Sequence, residues 1–137
     1  MTTSLSQFYL DELHDWRSAV DLYVKEIDES EEWLELLIHL DSVPALAAKT
    51  EHHLNQSHLS KKNLLRLKSI ILASEKKLHK EQVPVANDAI TEEIKLHHKE
   101  LRKKVHEAEK NYLDAKYKRD EFSANAVEIH NKIKSNG

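Results

Sequence analysis

Ten histidines stand among 137 residues. Imidazole is the side chain most often recruited to hold a metal or to move a proton near neutral pH. Spacing decides which of these chemistries is open. Carboxylate-bridged di-metal bundles draw Glu-x-x-His from two helices. This chain contains no Glu-x-x-His and no His-Glu-x-x-His; its one relative is Asp11-x-x-His14. Glu-x-x-x-His occurs at Glu35/His39, Glu75/His79 and Glu93/His97, spacings that make ordinary pairs on a helix surface. His52-His53 and His97-His98 are adjacent in sequence, so on a helix each pair diverges by about 100° and does not chelate one ion. The remaining metal arrangement sets His14 against His97 or His98, with Asp11 or Glu93 a turn away. A second candidate is a polar level where Ser30, His53, Ser57 and Tyr112 meet, suited to a small ligand or to ordered water.

These residues need helices to position them, and the composition supplies little else. The chain has one glycine, Gly137, two prolines and no cysteine. That excludes disulfides, thiolate nucleophiles and cysteine–zinc sites. It also excludes glycine-rich phosphate loops and nucleophile elbows, which need turn chemistry the chain lacks. Hydrophobic residues make up 39% and charged residues 33%, the mixture of long helices with one apolar stripe each.

Apolar residues then recur at alternating steps of three and four. The first seam runs Leu13, Trp16, Val20, Tyr23, Ile27, Ser30, Leu34, Leu37, with Ser4 or Ser6 as cap. The second runs from Val43 and Leu46 through Thr50, His53, Ser57 and Ser60 to Leu64, Leu67, Ile71, Ser74 and Leu78. Its middle is polar, so the alternative to continuity is a break near residues 55–60 and four helices. The third runs Ile90, Ile94, His97, Leu101, Val105, Ala108, Tyr112, Ala115, Arg119, Phe122, Ala126, Ile129, Ile133, with a stutter at Leu101 to Val105. Pro44 and Pro84 fall in the two gaps, where Ser42 and then Asn87 or Asp88 are candidate caps. The expected fold is all-α: an elongated, antiparallel, up-down-up three-helix bundle with coiled-coil-like packing. The expected organisation is one domain over residues 1–137, with helices at about 5–41, 44–81 and 88–134. Three long helices with a seam tryptophan, Trp16, in the first resemble a spectrin-type repeat in architecture alone.

Folding the helices about the two gaps places residue n of the first level with about 85−n of the second, and residue m of the second with about 169−m of the third. The third helix then overhangs its neighbours, leaving Ala126, Val127, Ile129 and Ile133 as an uncovered apolar stripe and a candidate association surface. Trp33, one position off the seam, is a second candidate anchor, with flank packing near His52 as the alternative.

Charge is uneven along the chain. Residues 1–43 carry eleven acidic and two basic side chains, residues 44–83 three and eight, and residues 84–137 ten and eleven. An acidic first helix packed beside a basic second one explains this most simply. A basic patch for a polyanion, from Lys61, Lys62, Arg66 and Lys68 with Lys99, Arg102, Lys103 and Lys104, ranks third among the readings, and nucleic acid is not favoured.

No membrane span and no secretory leader is visible, which makes a cytoplasmic protein the default expectation. Catalysis needs donors on exposed loops, and the expected loops are a few residues long. The expectation is therefore a non-enzyme without cofactor. It is a helical interaction or scaffolding module that meets a protein partner, or itself as a homo-oligomer, with no small-molecule substrate identified. The alternative from another class is a bundle that binds a metal or small ligand through its histidines and carboxylates.

Overall fold

A computed structural model describes residues 4–40, 44–82 and 90–136, the side chains of residues 40, 44, 45, 80–82, 130 and 133–136 excepted. The expected turn residues 41–43, the caps Ser42, Asn87 and Asp88, and the side chain of Ile133 lie outside the described residues. Three helices hold every described residue except Ser4, Ile90 and Thr91. They are α1 (Leu5–Leu40), α2 (Pro44–Gln82) and α3 (Glu92–Asn136). At 45 residues α3 is the longest, about 68 Å at the helical rise.

The helix starts follow from capping chemistry. Ser4 Oγ accepts the Gln7 amide at 3.1 Å, which satisfies an amide the first turn leaves open. For α3 the cap is Thr91, which corrects the expected start near residue 88. Its Oγ1 accepts the Ile94 amide at 3.2 Å, and its carbonyl accepts that of Lys95 at 3.1 Å. Glu92 and Glu93 then occupy the first turn, where the helix dipole favours acid. The middle of α2 is helical throughout, so the four-helix alternative does not hold. Thr50 stays buried there because its Oγ1 donates to the Leu46 carbonyl at 2.8 Å.

Cross-helix partners give the arrangement. Asp21, Asp28 and Glu31 of α1 meet Lys68, Lys61 and His58 of α2 in reverse order. Glu12 and Glu26 of α1 meet Arg102 and Lys116 of α3 in the same order. That is the ordering of an up-down-up bundle. The α1–α2 register is shifted about one helical turn from the expected one. The acidic first helix does lie beside the basic second one.

The third seam needs one correction. His98 is buried and His97 is exposed. With His98 in place, Ile94, His98, Leu101, Val105, Ala108, Tyr112, Ala115, Arg119, Phe122 and Ala126 alternate steps of four and three without interruption, and the stutter disappears. None of these ten side chains is exposed.

The core divides into two parts. A long cluster runs from Tyr9, Leu13 and Leu78 to Ile27 and Tyr112. A short one joins Leu34, Leu37, Leu46 and Ala126, with Leu54 and Phe122 against it. Between them lie the buried polar residues Thr50, Ser57 and Arg119. Of the four residues expected to meet at a polar level, Ser57 lies here, beside Thr50 and Arg119. Ala126, 1% exposed, belongs to the short cluster and not to an uncovered stripe, because α1 meets α3 residues further along the chain than expected, as in Glu12 with Arg102 and Glu26 with Lys116.

Candidate functional site

Two polar centres and one outer surface hold the chemistry-bearing residues. The first centre is built on α1 and α3 around His98. Tyr9 and Trp16 are seven residues apart, two turns of α1 on one face. The His98 ring stacks on both, at 3.8 Å from Tyr9 and 5.0 Å from Trp16 between centroids. Its Nε2–H donates to Glu12 Oε1 at 3.0 Å, and Arg102 donates to both Glu12 oxygens. Burial pushes the His98 pKa down against the pull of Glu12. Burial works to raise the Glu12 carboxyl, but hydrogen bonds from Arg102 and His98 outweigh it and leave it below the usual range.

This geometry separates the proposed metal ligands. His14 lies on Arg17 at 3.0 Å. Asp11 is bonded by Gln7 at 2.9 Å. His97 meets Ser74 at 3.2 Å, and Glu93 stands exposed on the first turn of α3. Among the described residues no group of three His, Asp or Glu could hold a metal ion. Sequence reasoning missed Glu12 and Tyr9, and placed Arg102 only in a basic patch. The available signal was His98-x-x-x-Arg102, two partners for one carboxylate on one helix face.

The second centre is the polar level. Tyr112 donates to Glu26, Lys116 adds a contact to Glu26 at 3.3 Å, and Tyr23 stacks on Tyr112 at 4.3 Å. The Tyr112 hydrogen bond, against burial, holds Glu26 below the usual carboxylate range, with Lys116 and Arg119 helping. Burial and then Glu26 push the Tyr112 phenol well up. His53 stacks on Phe122 at 4.5 Å. Burial, His52 and Arg119 lower its pKa, in that order. Arg119 is 5% exposed, and its Nε has no hydrogen-bond partner among the described residues. Beside it opens a cleft of about 560 Å³ between α1 and α3, lined by Glu26, Glu29, Ser30, Trp33, Lys116, Arg119, Asp120 and Ser123. Trp33 thus turns toward α3 rather than toward α2 near His52. Ser30 lines this cleft, and Tyr112 lines a hollow on the α2–α3 side.

On the outer surface, Val127 and Ile129 are exposed and Trp33 is 37% exposed, while Ala126 is removed by burial. The basic patch is divided. Lys61, Lys68 and Arg102 are bound to Asp28, Asp21 and Glu12 of α1, and exposed Lys103 pairs with Glu100 on its own helix, which leaves Lys62, Arg66, Lys99 and Lys104 in solvent.

Between α2 and α3 lie two adjoining hollows of about 290 and 310 Å³ that share Ile70. They exist because α3 stands off. Close backbone approaches are frequent between α1 and α2 and few between α3 and either neighbour.

No protein-family model, no curated protein and no solved structure matches this chain. No described helix is long and apolar enough to cross a membrane.

Proposed function

We propose that the chain is a non-catalytic helical interaction module that associates with itself. The observation that carries this reading is the apolar surface left outside the core. Leu36 and Trp33 on α1, Leu59, Leu65 and Leu72 on α2, and Leu96, Leu113 and Tyr117 on α3 are all large and all exposed. Leu65 and Leu72 are one heptad apart, and Leu113 and Tyr117 one turn apart, so they form rows along their helices. Rows of this kind suit helix-on-helix contact. The buried polar groups around His98 and Tyr112 are engaged with one another, which suits a structural part better than a reactive one. Sedimentation velocity over a concentration series, with helicity followed in parallel, tests the reading. The expected result is reversible association at unchanged helicity. A particle that stays monomeric at every concentration overturns it.

A further inference from the structure

The two hollows between α2 and α3 have walls of opposite sign. In the first, Arg66 stands on α2 and Glu107 on α3 above Leu67 and Ala108. In the second, Lys77 stands on α2 and Glu93 on α3 above Leu78 and Ile94. All four charged residues are exposed, and none makes an ion pair among the described residues. Asn63 and Asn111 add an amide to each wall of the first hollow. Lys104 is the exception, a cation on the acidic wall. The hollows together extend from Ser60 to Leu78 on α2, about 27 Å at the helical rise.

We propose that this face is self-complementary and binds a second copy of the chain, an inference that rests on the self-association reading above. A two-fold axis parallel to the helices lays α2 of one copy over α3 of the other at the same height. Each hollow then closes against its own counterpart. Arg66 meets Glu107 of the second copy, Lys77 meets its Glu93, and Asn63 meets its Asn111. The apolar floors become the centre of a four-helix arrangement of two α2 and two α3 helices. The other face-to-face choice, with the axis across the helices, lays α2 on α2 and α3 on α3. It sets cations against cations and acids against acids, so the charge pattern selects one geometry and opposes the other. The exposed Trp33, Val127 and Ile129 at the far end of the bundle offer apolar surface without such a pattern.

Two complementary double variants test this, each confined to exposed side chains. Arg66→Glu with Lys77→Glu makes both walls acidic. Glu93→Lys with Glu107→Lys makes both walls basic. Circular dichroism and melting confirm that each variant is folded, and sedimentation velocity reads assembly. The wild-type chain is expected to dimerise. Each variant alone is expected to dimerise about tenfold or more weakly. An equimolar mixture of the two is expected to restore a dimer, because every α2 wall then meets an α3 wall of opposite sign. Unchanged dimerisation of either variant, or a mixture that stays monomeric, overturns the proposal. If the wild-type dimer resists both variants but is lost in Val127→Glu with Ile129→Glu, the α2–α3 face is wrong while self-association stands. A wild-type chain that is monomeric throughout removes both.

Discussion

Toward α2, α1 offers a seam of Leu, Ile and Val edged by ion pairs, and the two backbones run close together. Toward α3 it offers Tyr9, Trp16 and Tyr23, and the backbones stand apart. Interaxial distance is set by the side chains at the contact. Stacked rings therefore hold α3 away from the pair, and the space this leaves becomes the hollows beside α2. The two contacts also differ in kind. Burial of aliphatic surface is non-directional and insensitive to pH. A ring stacked on two others and hydrogen-bonded to a shared carboxylate is directional, and its groups titrate. The first contact sets how stable the bundle is. The second sets where α3 sits and under which conditions it stays.

The largest effect should come from the aliphatic seam. Ile71 is fully buried in the long core cluster. Ile71→Ala removes its apolar contacts and leaves a cavity that packed helices close only in part. The expected loss is about 3–4 kcal/mol of unfolding free energy. Chemical denaturation measures it. A loss below about 1 kcal/mol would mean that the seam is loosely packed and that the contrast between the two contacts is false.

The ring stack should give a smaller effect with a pH signature. Burial lowers the His98 pKa, so its folded pKa lies below the unfolded one. At pH values above the ordinary imidazole pKa of about 6.5, neither state takes up the proton and no stability is at stake. As the pH falls below that value, the unfolded chain binds a proton that the folded chain resists, and stability declines until the folded pKa is reached. His53 shifts in the same direction and adds to this loss. Glu12 and Glu26 are shifted down. Their contribution is full above the ordinary carboxylate pKa and is lost at lower pH, as it falls through their lowered values. His98→Phe keeps a ring between Tyr9 and Trp16 but does not titrate. It is expected to make the loss of stability between about pH 7 and 5 visibly shallower than in the wild type. Denaturation curves at three or four pH values decide this, and an unchanged slope removes His98 as its source.

Much of the fold was legible because it rests on periodicity. The steps of three and four and the two prolines located three helices, and polar Thr50 and Ser57 in the second seam marked the polar break in the core. What periodicity could not supply was rotation by a single residue. His97 and His98 both lie near the seam, and only the choice that keeps four-three alternation through Val105 is the buried one. The choice also decides partners, because His97 lies on the Ser74 side while His98 faces Glu12 and Arg102. The register error of about one turn had a similar root. The seams give the phase of each helix and not its height against a neighbour. A separate shift of α3 along α1, read from Glu12 with Arg102 and Glu26 with Lys116, moved Ala126 from an exposed stripe into the core. The hollows were illegible for a further reason. They arise from how far apart two helices stand, and that distance depends on which rings stack across a different interface.

The edge of the α1–α2 contact should give the smallest effect, and its smallness sharpens the comparison. Lys68 and Asp21 approach to 2.6 Å with both side chains partly in solvent. A pair of this kind gains modest Coulomb energy, gives up side-chain freedom and is screened by salt. Lys68→Ala is expected to cost less than about 1 kcal/mol in dilute buffer and to cost still less as salt is raised. The Glu12–Arg102–His98 group should be less salt-sensitive, because His98 is buried beneath two rings and Arg102 grips both carboxylate oxygens. Measuring Lys68→Ala and Glu12→Gln at low and high salt therefore separates the two contacts by a second criterion. If both losses shrink equally with salt, the α3 attachment is as exposed as the α2 edge, and α3 is positioned by its aliphatic seam alone.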